Sequence, residues 1–114
     1  MQIDSIESYD GTLTVKCSGT FGIGSEGIPS GNRLKESIEQ WVADHPMAVV
    51  SRIHIDMTSV AYEWGDGPIS SMISFLGSGV GHVQILAGAQ NAKALESLVK
   101  ACRIPRVHVK RADT

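Results

Sequence analysis

At 114 residues the chain has room for one domain, and it is long enough to bury a core without a metal or disulfide staple. With 42% hydrophobic and 19% charged residues and a formal charge of −2, it reads as an ordinary globular protein whose main partner is neither nucleic acid nor an anionic membrane. No window approaches the roughly 20 apolar residues of a membrane span. The opening Met1-Gln2-Ile3-Asp4 lacks the charge-then-apolar order of a signal peptide, so a cytoplasmic location is expected.

Ile3 to Ser8 and Thr12 to Gly19 flank Asp10-Gly11, a pair suited to a tight hairpin turn because both residues tolerate positive φ. In the second run Leu13, Val15 and Cys17 alternate with Thr12, Thr14 and Lys16, the pattern of a strand with one buried face. Residues 21–31 follow, with Gly22, Gly24, Gly27, Pro29 and Gly31, and are expected to form a long glycine-rich loop. Asn32 is the expected cap of a helix carrying Leu34, Ile38, Trp41 and Val42 on its apolar face, with Trp41 in the core. His45-Pro46 ends that helix, because the residue before proline is pushed away from helical geometry.

Val49 to Thr58 reads as the strongest strand, with Ile53, Ile55 and Met57 alternating with Arg52, His54 and Asp56. The turn Glu63-Trp64-Gly65-Asp66-Gly67 leads to Pro68, suited to a first helical turn, and Ile69, Met72, Ile73 and Leu76 follow at helical spacing until Gly77-Ser78-Gly79. Val83 to Ala87 is a short apolar strand. Gln90 or Asn91 opens a third helix with Leu95, Leu98, Val99 and Cys102 on one face, closed by Arg103-Ile104-Pro105. Val107 and Val109 belong to a last strand before a polar tail, 110–114. Both cysteines, Cys17 and Cys102, sit in apolar rows and are expected to be buried and reduced. The order β-β-α-β-α-β-α-β implies a single α/β domain over 1–114. Its expected core is a mixed, mostly parallel sheet of four to five strands, with an antiparallel N-terminal hairpin edge and three helices.

Several motifs invite chemistry and fall short of it. Gly22, Gly24 and Gly27 satisfy G-x-G-x-x-G after a strand, a possible phosphate or nucleotide loop. However, Ile28-Pro29-Ser30-Gly31 is read as separating them from the helix, and the strand before them as part of a hairpin rather than of a βαβ unit. His45, His54, His82 and His108 lie on separate elements, and the pair His54 and Asp56 on one strand is too few ligands for a metal. Asp56 with Thr58 is read as fixing the end of a strand. There is no G-x-S-x-G elbow and no activated cysteine, so no enzyme activity, cofactor or metal is expected. Base gathers in the last third (Lys93, Lys100, Arg103, Arg106, Lys110, Arg111), too diffuse for nucleic acid and suited to an acidic protein surface.

The stretch Ile55-Asp56-Met57-Thr58-Ser59-Val60-Ala61-Tyr62-Glu63-Trp64-Gly65-Asp66-Gly67 resembles the signature of the STAS family, the anti-sigma-factor antagonists. The element order resembles that of STAS domains over nearly the whole chain, and Ile85-Leu86-Ala87-Gly88 and Ile104-Pro105 resemble their closing segments. The resemblance implies a bacterial regulatory module that binds a protein partner, an anti-sigma or switch-kinase-like regulator, through the start of the second helix. In the family that turn carries a phosphorylated serine or threonine. Here Trp64 stands at the family's usual Asp, and Gly65 and Asp66 stand where its two hydroxyl residues lie, so no acceptor remains there.

Trp64, Gly65, Asp66, Gly67 and Ser70 are the candidate partner-binding residues. Asp66 reads as a helix cap, as a fixed charge imitating a phosphate, or as both; Ser70 and Ser71 are alternative acceptors. Trp64 is either a lid on the core or an exposed anchor, beside Tyr62 and the carboxylates Glu63 and Asp66. The competing expectation is a small-molecule or nucleotide binder using the glycine loop. Oligomeric state is left open, a dimer included.

Overall fold

The structure is a computed structural model that describes residues 1–65, 67, 68, 76 and 79–112. Its elements in chain order are β1 (Gln2–Tyr9), β2 (Thr12–Thr20), a 3₁₀ turn (Gly24–Gly27), α1 (Ile28–Asp44), β3 (Arg52–Ala61), β4 (His82–Ala87), α2 (Ala92–Cys102) and β5 (Val107–Arg111). The strands form one five-stranded sheet in the order β1-β2-β3-β4-β5. β1 and β2 are antiparallel, and every later pairing is parallel. The expected mixed sheet with a hairpin edge is therefore present. Asp10 and Gly11 make the hairpin turn at φ 50° and 79°, the positive pair that a two-residue turn between twisted strands requires.

Alternation sorts the two faces of the sheet. Leu13, Val15, Cys17, Ile53, Ile55, Met57, Val83, Ile85, Ala87 and Val107 are buried with Leu34 and Ile38 of α1 and Ala92 and Leu95 of α2 in one core. Both helices thus cover the same face. A parallel sheet whose strand order never reverses produces this arrangement, because right-handed crossovers in one direction place every helix on one side. Register rows cross the other face: Glu7, Thr14, His54, Gln84 and His108 in one, Ser5, Lys16, Asp56, Leu86 and Lys110 in the next.

Several boundaries differ from the sequence reading. The long loop over 21–31 is shorter, since α1 begins at Ile28 behind the 3₁₀ turn, with Pro29 in its first turn where a missing N–H is harmless. Asn32 lies inside α1 and Gly27 is its cap. Trp41 is half-buried and stacks on His45, ring centroids 4.0 Å apart, while Val42 is exposed. β3 starts at Arg52 rather than Val49 and runs to Ala61, because pairing can begin only opposite Thr12, where β2 begins.

At the other end of the chain, Lys110 and Arg111 belong to β5 rather than to a tail. They pair with Leu86 and Ala87, and Arg111 binds Glu96 at 2.7 Å. Cys102 is exposed at the last turn of α2, not buried. Among the described residues two α-helices are complete, not three. The helix expected from Pro68 falls outside them, apart from Gly67, Pro68 and Leu76, which have helical geometry.

The pairing of β2 with β3 shifts between Lys16 and Ser18, where β3 contributes an extra residue against β2. A bulge of this kind leaves backbone groups without ladder partners. Asp56 Oδ1 accepts the Thr58 backbone N–H (3.0 Å) and the Thr58 hydroxyl (2.6 Å). The pair sits at the bulge inside β3 rather than at the strand end expected for it, because β3 runs on to Ala61. Asn91, 1% exposed, serves the opposite edge. Its Nδ2 donates to the Met57 carbonyl (2.9 Å) and the Val60 carbonyl (2.7 Å), and its Oδ1 accepts the Gly88 N–H (3.0 Å).

Asn91→Ala orphans these groups in a dry site, where each unsatisfied group costs about 1–3 kcal/mol. Urea denaturation of this variant is expected to show a loss of about 3 kcal/mol with an unchanged slope. Asn91→Asp is expected to lose more, because a carboxylate would face two carbonyl oxygens. A loss below about 1 kcal/mol for both would remove the amide from this role.

Burial, together with the nearby Asp4 and Asp56 carboxylates, pushes the Cys17 thiol up to about 12, partly offset by the N-terminal ammonium. Because the folded value is the raised one, Cys17 favours folding fully below the unfolded thiol's range near 8.5. That contribution fades as pH climbs toward 12. A thiol reagent at pH 8 is expected to label Cys102 in the native protein and Cys17 only in denaturant; equal native labelling contradicts the burial of Cys17.

Candidate functional site

The site is assembled where β2 and β3 end. Phe21 follows β2 and donates its N–H to the Ala61 carbonyl at 2.9 Å, so the two strands leave the sheet side by side. Phe21 is buried and meets the Tyr62 ring edge-on, centroids 6.2 Å apart at 86°. The Tyr62 hydroxyl donates to the Gly65 carbonyl and folds the loop back on itself. The two aromatic rings form the floor beneath both loops.

Above that floor the loops touch backbone to backbone. The Gly24 N–H donates to the Trp64 carbonyl at 3.1 Å. A Cβ on Gly24 would lie 2.8 Å from the Trp64 ring, one on Gly65 2.8 Å from the Gly24 nitrogen, and one on Gly67 2.5 Å from the Gly27 carbonyl oxygen. Gly31, one turn into α1, meets the Gly67 carbonyl with no room for a side chain. Gly65 also sits at φ +121°, a conformation that side-chain-bearing residues avoid. The candidate residues Trp64, Gly65 and Gly67 and the candidate loop Gly22, Gly24 and Gly27 are thus one structure. Spacing in the sequence shows neither contact, because the partners are some forty residues apart. Asp66 and Ser70 lie outside the described residues.

Both sequence arguments against the glycine motif fail. The α1 helix opens directly behind Gly27, and β2-α1-β3 is a parallel βαβ unit as well as half of a hairpin. What weighs against a phosphate there is occupancy. Gly24 is packed on Trp64 and Gly65, Gly27 on Gly67 and Gly22 on Glu26 of its own turn. The Gly24 N–H is taken by Trp64, and the Glu26 N–H is taken by the Ile23 carbonyl. The sheet order also contains no reversal, and α/β sheets open their ligand crevice at such a switch point.

Trp64 is exposed rather than a lid on the core. One side of its indole lies on Gly24, and the residue is 61% exposed. Elsewhere, the structure brings His54, His82 and His108 to the sheet face opposite α1 and α2, with the His82 and His108 rings 6.2 Å apart. Among the described residues no group of three or more side chains is placed to hold a metal, and no helix is long and apolar enough to cross a membrane. An apolar hollow of about 420 Å³ lined by Ile38, Val42, Val50, Ile53 and Val80 lies where β3 begins, at the end away from the glycine loops. No family model matches the chain, and no curated protein matches it.

Gly65→Ala combines positive-φ strain with a backbone clash, whereas Gly79→Ala has a similar φ of +90° with nothing within 4 Å. In thermal melts Gly79→Ala is expected to cost about 1 kcal/mol and Gly65→Ala at least twice that. Equal losses would show that the seam between the loops gives way freely.

Proposed function

We propose that this chain is a STAS-like regulatory module that binds a protein partner through the loop face around Trp64, without phosphate switching at the usual turn. The observation that carries this reading is Trp64 itself: a large side chain held 61% exposed on a backbone locked by glycine packing. Tryptophan anchors interfaces well because it buries a large area and loses few rotatable bonds. A fixed backbone removes part of the ordering cost of association. The resemblance supplies the partner class, an anti-sigma, switch-kinase-like or other regulator. It rests on the element order and on the residues from Ile55 to Gly67. Gly65 and Asp66 replace the hydroxyl residues of the family turn, so the interaction is expected to be constitutive there, with Asp66 as a standing charge and Ser70 as part of the same face.

A second reading, a small-molecule or nucleotide binder at Gly22, Gly24 and Gly27, draws on the α1 N-terminus directly behind the motif. It requires the Trp64 loop to move aside. Thermal shift against a nucleotide panel separates the two. A ligand at a hundred times its Kd adds about 2.7 kcal/mol to the folded state, so a clear rise that Gly24→Val abolishes would install the nucleotide reading. For the protein-partner reading, the immobilised chain and its Trp64→Ala variant are compared by quantitative mass spectrometry of captured proteins. At least one protein is expected to fall tenfold or more with the variant; equal recovery of every protein removes Trp64 from the binding face.

A further inference from the structure

The glycine seam collects more apolar surface than Trp64 alone. Ile23, next to Gly24, is 42% exposed, and Ile28, opening α1, is 47% exposed. Ile23 adjoins Gly24, on which the Trp64 ring lies, and Ile28 follows Gly27, which packs on Gly67. All three open side chains are thus carried by the seam, and exposed apolar groups gathered in this way are of the kind that partners cover. The charge around the patch has one sign. Glu26, in the 3₁₀ turn, and Glu63, next to Trp64, are both exposed. Residues 17–32 and 53–68, which supply both loops and the strand ends beneath them, contain no lysine or arginine. The nearest cation on α1, Arg33, lines the separate groove with Ile3, Ile6 and Trp41. The base of the last third is carried by α2, the turn after it and β5, the strand beyond β4 in the sheet order.

We infer that Ile23, Ile28 and Trp64, rimmed by Glu26 and Glu63, form a docking surface for an amphipathic segment of a partner protein that flanks its apolar face with lysine or arginine. The inference rests on the reading of the Trp64 face as a binding site and adds the chemistry of what binds. The apolar residues supply the desolvated centre. The carboxylates, which no cation of either loop neutralises, select basic flanks and repel acidic ones. Part of this surface comes from the loop after β2, which the family-like stretch after Ile55 does not contain.

Trp41→Phe leaves Trp64 as the remaining tryptophan of the chain's two, so its emission reports this face directly. Three short helical peptides serve as probes: leucine with lysine, leucine with glutamate, and lysine with serine in place of leucine. The leucine–lysine peptide is expected to shift Trp64 emission to the blue with saturation, and the other two to leave it unchanged. Glu26→Lys with Glu63→Lys is expected to weaken the leucine–lysine peptide at least tenfold and to admit the leucine–glutamate peptide. Glu36→Lys, on exposed α1 surface, is expected to change neither. Circular dichroism checks that each variant is folded. Equal binding of both leucine peptides, or an equal loss with Glu36→Lys, overturns the inference and leaves the docking face standing. No emission change with any peptide removes the apolar anchor, and the underlying reading with it.

Discussion

One buried amide holds the two halves of this fold in register. The ladder between β3 and β4 ends at Asp56 and Leu86, short of the Met57 and Val60 carbonyls. Asn91 fills that gap with its side chain while its backbone opens α2, so a single residue closes β3, the β4 exit and the start of α2 together. Its bonds are made where water is excluded, which makes them costly to lose and selective for this geometry. Beyond this point β3 stays paired with β2 as far as Ala61 and carries its loop toward the glycine seam.

The seam follows from the same economy of space. Two loops that leave adjacent parallel strands must either diverge or touch, and here the Phe21–Ala61 bond and the Phe21–Tyr62 contact make them touch. Contact at backbone distance leaves no volume for side chains, which explains glycines at 24, 65 and 67 and, through α1, at 31. A motif with the spacing of a phosphate loop thus has a packing explanation. The Phe21 ring fills the seam from the buried side, and the Trp64 indole lies on Gly24 at the exposed side.

Much of the architecture was legible in local pattern. Asp10-Gly11 announced the hairpin, and the alternations around Val15, Ile55 and Ile85 gave strands with one buried face. The boundaries were misread where tertiary pairing overrides local preference. Val49 and Val50 look like strand, yet the sheet has no partner for them before Thr12. The start of α1 was hidden by glycine content, although Pro29 marked it. The bulge was not foreseen, because Thr58-Ser59, two polar residues in a row, was read as the end of the strand. Asn91 showed only its capping role, because Met57 and Val60 lie more than thirty residues away. For the site, Trp64 was visible as a residue to watch, but its neighbours Ile23 and Ile28 were not. Exposure of an aliphatic residue inside a helix start is decided by packing, not by composition.

The strand order has a consequence for how the domain can be built. Each strand lies beside the one that precedes it in the chain, so no strand has to be threaded between two already placed. Every pairing closes a loop onto the current edge, and β5 forms the far rim of the sheet. The hairpin is the shortest such closure, and the growing edge moves away from it one unit at a time. Such a layout is linear in space as well as in sequence. Lengthening or trimming the chain past β5 would change that far rim while leaving the glycine seam, three strands back, as it is.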